Sequence, residues 1–465
     1  MFIGRERELA SINKLYTSNK FEFLVIYGRR RVGKTALINQ FIRDKKAIYF
    51  MGVESNAKQN LRNLSENILE YGGDIRPETV FLSFQAAFEY TFQLAGEERL
   101  IFVIDEYPYV ARSERSLASV LQLLIDKYKD NSKMMLILCG SSMSYMEDHV
   151  LACKAPLYGR RTAQMKVLPF DFADTCRYFK NFTPEEKALA YGIVGGTPQY
   201  LMQMDDRKNI EDNIKNMFLD TTSFLFEEPE NLLKQEVREP ALYNAMITAI
   251  ATGASRMAEI ATKVGEETSV CTAYLKNLIA LGLIGKETPY GEKASRKSIY
   301  CIEDNLFRFW YRFIPENKSI ISRGAIELAY KRIAPHLSDY MGKVFEDICK
   351  QYLWALLLDG ESQVEFRELG RWWGTDPVAH CPEEIGIMGE EDKNTALFGE
   401  CKWTNEKINI GVLQTLKRRS QIFSYPNTKL YLFGKNGFTK ECEREAARMG
   451  NVYLVSYGDI LEKLK

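Results

Sequence analysis

The chain has 465 residues, enough for two to four domains, and its 46% hydrophobic and 27% charged content is that of ordinary soluble globular material. Lys plus Arg and Asp plus Glu both number 62, so no global basic field draws the protein onto nucleic acid, and any such contact must be a local patch. The nine cysteines include no C-x-x-C pair, which argues against a zinc ribbon or a disulfide framework and fits reduced thiols in a cytoplasmic protein.

The opening residues do not form a signal peptide, and no apolar run approaches the roughly 20 residues of a membrane span. Phe2-Ile3-Gly4-Arg5-Glu6 precedes an amphipathic helix carrying Leu9, Ile12, Leu15 and Tyr16. In many ATPases such a segment folds beside the adenine; elsewhere it only caps the N-terminus. Then comes the apolar run Phe23-Leu24-Val25-Ile26-Tyr27, the loop Gly28-Arg29-Arg30-Arg31-Val32-Gly33-Lys34-Thr35, and a helical stretch from Ala36 to Ile42. This is G-x-x-x-x-G-K-T between a buried strand and a helix. Gly28 and Gly33 let the backbone turn and approach a phosphate closely. Main-chain N–H groups of the loop and the helix start, Ala36 included, point at the anion. Lys34 reaches the β- and γ-phosphates, and the Thr35 hydroxyl ligates Mg²⁺.

Residues 46–51 form a second short strand, with helical periodicity over 61–69 and 81–94. Leu100-Ile101-Phe102-Val103-Ile104-Asp105-Glu106 is a buried strand with two carboxylates at its carboxyl end, where ligands of α/β sheets bind. Asp105 is placed to hold Mg²⁺ directly or through water, and Glu106 to polarise the attacking water as general base. The strand 134–140 ends at Ser141, a sensor of the γ-phosphate or water, or a cap of the next turn. Arg160 and Arg161 follow Gly159; Arg160 is the candidate to stabilise the transferring phosphoryl charge, from the same or a neighbouring subunit, or is a solvated surface arginine. Residues 165–170 form one more strand leading out of the sheet. From 172 to about 217 the pattern is helical, broken by Gly195-Gly196-Thr197-Pro198, and reads as a small lid over the nucleotide.

The opening Ile3-Gly4-Arg5-Glu6, the loop 28–35, Asp105-Glu106, Gly140-Ser141-Ser142, Tyr158-Gly159-Arg160-Arg161 and Gly195-Gly196-Thr197-Pro198 together resemble the archaeal-type ATPases, AAA-related proteins of the signal-transduction ATPase class. The resemblance covers roughly the first half. It implies ATP binding, slow hydrolysis and nucleotide-dependent switching, and leaves open what is switched.

Residues 240–302 read as a winged helix-turn-helix, with helices over 242–250, 255–265 and 269–281 and wing strands at 282–286 and 297–302. The second helix of that motif carries Lys276 alone, after Glu266-Glu267, whereas the wing has Lys286, Lys293, Arg296 and Lys297. DNA contact and a domain-packing role are both open. The aromatic stretch 304–313 is expected to be core or inter-domain glue.

In the last part, a helix over 343–358 carries Glu346, a strand carries Glu384, and Gly399-Glu400-Cys401-Lys402-Trp403 sets Glu400 and Lys402 on one face. Helix Glu, strand acid and Glu-x-Lys outline a restriction-endonuclease-like site, in which carboxylates hold Mg²⁺ and the lysine steadies hydroxide. This half resembles the domain of unknown function often fused to archaeal-type ATPases, itself nuclease-like in fold, through Arg371-Trp372-Trp373-Gly374-Thr375-Asp376 and 399–403. It departs from the pattern at Gly386, where a metal-binding Asp is expected; Glu384 or Asp376 is the substitute.

The expected architecture is α/β: a P-loop core with a parallel sheet (1–171), a helical lid (172–235), a winged helix-turn-helix (236–303), an aromatic connector (304–340) and a restriction-endonuclease-like domain (341–465). The expected function is a cytoplasmic ATP- and Mg²⁺-dependent switch that assembles with a protein partner or with itself and has no membrane attachment. The alternatives are a DNA-processing ATPase-nuclease and a DNA-binding regulator.

Overall fold

The computed structural model describes residues 2–73, 80–96, 98–292 and 297–464. The chain divides into two compact units, residues 1–169 with 197–199, and residues 170–196 with 200–465.

In the first unit five parallel strands are β1 (Glu22–Tyr27), β2 (Ala47–Met51), β3 (Leu100–Asp105), β4 (Met134–Gly140) and β5 (Ala163–Lys166), in the order β2-β3-β4-β1-β5. β1, β3 and β4 are buried along their whole length, which is why they read as unbroken apolar runs rather than alternating ones. Helices α1 (Glu6–Thr17) and α2 (Lys34–Ile42) cover one face, where Ile12, Leu37, Ile38 and Phe41 pack on Leu24, Ile26, Ile101, Val103, Met135 and Ile137. Helices Ala57–Tyr71 and Phe84–Leu94 realise the two expected periodic stretches, the second starting where the Ser83 hydroxyl accepts from Ala86 N at 3.2 Å. The last strand ends earlier than expected. Beyond Lys166, Val167 N still donates to Tyr27 O at 2.8 Å, and its main chain passes Gly28 so closely that a Cβ there would stand 2.4 Å from the Val167 oxygen.

The second unit opens with helices. Pro184–Val194 starts from a capping box in which Thr183 and Glu186 satisfy each other's backbone donors, and it packs against Asn305–Ile321. The helices expected as a lid therefore pack within the second unit, except for the short piece 197–199. Helices Pro240–Ala251, Met257–Val264 and Thr268–Ala280 lead into the antiparallel ribbon β6 (Ile284–Glu287) and β7 (Ile299–Ile302). Lys293 and Arg296 lie outside the described residues. The aromatic stretch lies in Asn305–Ile321, with Phe307, Phe309 and Trp310 fully buried and the Trp310 indole donating to Phe226 O at 2.8 Å.

The C-terminal sheet consists of β8 (Gly370–Thr375), β9 (Pro382–Glu390), β10 (Thr395–Lys402), β11 (Asn427–Gly434) and β12 (Val452–Ser456), in the order β12-β11-β10-β9-β8. β8, β9 and β10 are antiparallel neighbours, and β11 and β12 continue in parallel. The register slips between Gly370 and Trp372, bulging β9 around Gly386. Helix Leu337–Leu358 packs against β10. Helix Ile410–Ser420 packs its Leu413 and Leu416 with Phe398 of β10 in a second core.

Gly196 pairs its carbonyl with Phe170 N at 2.8 Å, and a Cβ at Gly196 would come within 1.8 Å of Phe170 O. Gly196→Ala should therefore lower the unfolding free energy of the second unit by about 2 kcal/mol or more. Denaturant unfolding followed by tryptophan fluorescence checks this, all but one of the tryptophans lying in helix Asn305–Ile321, helix Leu337–Leu358 and β8.

Candidate functional site

The strand order β3-β4-β1 brings three strand tips side by side, so that the loop after β1, Ser141 after β4 and Asp105-Glu106 at β3 share one edge. At the loop, Gly33 has φ +90° and Arg31 has φ 74°, the left-handed turns that aim the main chain into α2. The Lys34 side chain is buried, and its ammonium donates to Gly28 O at 2.8 Å and Arg29 O at 3.0 Å. Val32 is locked into the core beneath α2. Arg5 holds the loop from outside, donating to Val32 O at 2.9 Å and Leu168 O at 2.6 Å. Arg29 donates to Thr197 Oγ1 at 3.2 Å, Pro198 stands 3.5 Å from where a Gly33 Cβ would be, and Arg30 donates to the Tyr109 hydroxyl at 2.9 Å. The Gly-Gly-Thr-Pro segment, far away in sequence, thus lies against this loop.

Asp105 is 1% exposed and fully engaged. Its Oδ2 accepts from Thr35 Oγ1 at 2.8 Å and from the Tyr49 hydroxyl at 2.7 Å, and its Oδ1 accepts from Glu106 N at 2.9 Å. Burial, and then the charge of Asp105, push the Tyr49 phenol well up, so it stays a donor. Burial and the same carboxylate push the Cys139 thiol up on the neighbouring strand. Glu106 sits at φ 49°, and its Oε2 accepts from Ser141 Oγ at 2.8 Å and Ser141 N at 3.3 Å. Ser141 thus holds the acid at β3. Tyr49 was not singled out from sequence; an aromatic on an apolar strand reads as core until the strand order is known.

The two arginines after Gly159 separate. Arg160 is committed to Asp126 on helix Leu117–Tyr128, with Nη2 at 2.7 Å from Oδ2, and to Pro156 O at 3.1 Å. Arg161 donates to Leu151 O at 3.4 Å, and its charge is felt at Tyr27, the last residue of β1.

The C-terminal acids fall into two groups. Gly386 lies against Glu346, whose Oε1 is 3.4 Å from where its Cβ would be. Arg371 pairs with Glu384, with Glu287 of the ribbon at 3.0 Å and, through Nε, with Glu346 at 3.9 Å. Glu400 lies on the other face. It pairs with Lys402 at 2.8 Å and with Arg419 of helix Ile410–Ser420 at 3.3 Å, whereas the thiol of the neighbouring Cys401 faces the free thiol of Cys349 on helix Leu337–Leu358. Alternation along β10, with a bulge in β9, puts the sheet between the two groups, so Glu346, Glu384, Glu400 and Lys402 do not converge. Asp376 is also spoken for, accepting from Val378 N at 2.8 Å, Ala379 N at 3.0 Å and Arg418 at 3.1 Å. Among the described residues no three Asp, Glu, His or Cys side chains form a group able to hold a metal ion.

Around Arg371 the charges are interlocked. Lys343 reaches Glu287 at 3.3 Å and Glu346 at 3.4 Å. Burial raises the Glu346 carboxyl against the pull of Lys343 and Arg371. Burial also acts to raise Glu287, but Lys343, Arg371 and Lys350 outweigh it and bring it down to about 2. A carboxyl depressed in the folded state stabilises above its unfolded value, and that stability is lost as pH falls. The stabilisation from Glu287 should therefore fade between its ordinary 4.5 and about 2. Glu287→Gln should lower the urea midpoint at pH 7 and flatten its decline over that range.

A family model described as an ATPase domain predominantly from Archaea matches residues 2–204, and one described as archaeal and bacterial proteins of unknown function matches residues 310–414. Uncharacterized protein MJECL04 of Methanocaldococcus jannaschii is 33% identical over 447 residues, spanning 95% of this chain and 97% of that protein. The uncharacterized ATP-binding protein MJ0423 of the same organism is 46% identical over 46 residues, 10% of this chain and 78% of that one. Among solved structures, the Walker-type ATPase PABY2304 of Pyrococcus abyssi is similar in fold, with a TM-score of 0.51 and 20% identity over 67% of this chain and 96% of that one.

Proposed function

This chain belongs to the family of ATPases found predominantly in Archaea, and from that premise we propose that it is a molecular switch that binds Mg²⁺-ATP at the loop 28–35 and hydrolyses it. The observation that carries the reading is the 2.8 Å bond from Thr35 Oγ1 to Asp105 Oδ2, which joins the loop motif to the strand motif across β4. The surroundings fit a magnesium nucleotide. The loop backbone passes Gly28, where a Cβ would stand 2.4 Å from Val167 O, Gly33 caps the start of α2, and an ammonium already lies inside the loop. Mg²⁺ takes few protein ligands and keeps several waters, which suits one hydroxyl and one carboxylate.

Each residue then has a role. Lys34 binds the β- and γ-phosphates by exchanging its carbonyl partners for phosphate oxygens, and the amides of 29–36 supply further donors. Thr35 and Asp105 would hold the ion. When bound, Mg²⁺ supplies charge neutralisation at the phosphates. Glu106 orients the attacking water and takes its proton on a carboxylate oxygen, and Ser141 sets where that carboxylate points. Arg160 would need to leave Asp126 to reach the phosphates, so Arg161 is the better candidate of the pair.

In the second unit, the three helices and ribbon over 240–302 are read as a winged helix, and the β12-β11-β10-β9-β8 sheet as a restriction-endonuclease-like fold. Nucleotide state is proposed to act on these modules and on a protein partner or a second copy. The pairing of Glu384 and Glu346 with Arg371, and of Glu400 with Arg419, favours packing or partner recognition over DNA cleavage. Among the described cations of the ribbon, Lys297 pairs with Glu292, and Lys286 lies 5.9 Å from the centre of the Tyr300 ring.

Lys34→Ala should abolish ATP binding in calorimetry; unchanged affinity and turnover would refute the proposal. Glu106→Gln should leave affinity intact and slow hydrolysis by roughly 10²- to 10⁴-fold in a phosphate-release assay. Labelled duplex DNA incubated with the protein, ATP and Mg²⁺ should stay intact, with Glu400→Ala behaving as the parent; cleavage lost in that variant would restore the nuclease alternative.

A further inference from the structure

The hydroxyl of Tyr49 has no place in the loop-and-carboxylate chemistry described above, yet it bonds to the central acid of the site. Tyr49 lies on β2, paired in register with Val103, while Asp105 pairs with Met51. Its phenol therefore reaches along the same face of the sheet, diagonally across two residues, to Asp105 Oδ2 at 2.7 Å. The Asp105 carboxylate is then held from three sides, by Thr35 at the start of α2, by Tyr49 on the adjacent strand and by the Glu106 amide. Thr35 must also serve the metal ion, and the Glu106 amide holds only Oδ1. Tyr49 is the donor to Oδ2 that is free of any other duty, and its ring packs against the core beneath α2.

We infer that Tyr49 is a positioning residue for the metal site, fixing the rotation of the Asp105 carboxylate so that its oxygens meet the water shell of the nucleotide-bound Mg²⁺. The inference rests on the Mg²⁺-ATP reading and deepens it. Partners that orient a metal-binding carboxylate without touching the metal typically affect metal affinity by roughly 10- to 100-fold when removed. Tyr49→Phe deletes the hydroxyl and keeps the ring, so the packing on the core is retained.

The test is a calorimetric titration of ADP into parent and Tyr49→Phe protein, first in EDTA and then over a series of Mg²⁺ concentrations. The affinity in EDTA should be the same for both, because it reports Lys34 and the loop amides. The Mg²⁺ concentration giving half of the affinity gain should be about tenfold higher in the variant. An identical Mg²⁺ dependence overturns the role of Tyr49 and leaves the ATP reading standing. A loss of affinity in EDTA also overturns it, since Tyr49 would then act on the loop rather than on Asp105. A parent protein that takes up no nucleotide under either condition overturns both readings.

Discussion

A buried carboxylate with three donors is the constraint on which the first unit turns. Asp105 sits at the end of an apolar strand, where an unpaired charge would cost several kcal/mol. Thr35, Tyr49 and the Glu106 amide each supply a hydrogen bond, and each comes from a different part of the unit. The charge is therefore accommodated by α2, β2 and the turn after β3 together. The same bonds that make the acid acceptable in the interior also orient it. The orientation that the proposed metal role needs is a by-product of satisfying a buried charge.

The neighbouring acid is managed differently. Glu106 lies just past the strand, in a left-handed conformation, and is held by Ser141 alone among the bonds described above. A single serine makes a looser restraint than three donors, in keeping with the role of general base proposed for Glu106. The strand order places Ser141 between the acid and the loop, so one side chain can register both.

In the second unit the charged interior is settled by arginine. Glu287, Glu346 and Glu384 come from a ribbon, a helix and a sheet strand, and the Arg371 guanidinium lies among all three. Five donors in a planar fork can serve several carboxylates at once, as a lysine cannot. At Gly386 the bulge brings Glu346 against a bare backbone. A charge network of this kind ties the ribbon to the sheet, and removing one partner leaves the others buried and unpaired.

The residue order alone determined the nucleotide half to a useful depth. Gly28 and Gly33 carry a local conformational requirement, Lys34 and Thr35 a chemical one, and Asp105 and Glu106 close an apolar run that reads as a doubly covered strand, so both motifs are visible without the fold. The aromatic stretch at 307–310 was likewise legible as core. Its indole and rings have no other place to go. What tertiary structure decided is everything that depends on which strands are neighbours and which face a residue takes. Tyr49 meets Asp105 only because β2 lies beside β3. Thr197 meets Arg29 although 168 residues separate them. Glu400 and Glu384 fall on opposite faces because a single extra residue in β9 shifts the alternation. Periodicity reports the environment of one element, and contact between elements is set by pairing and register, which no single stretch of chain encodes.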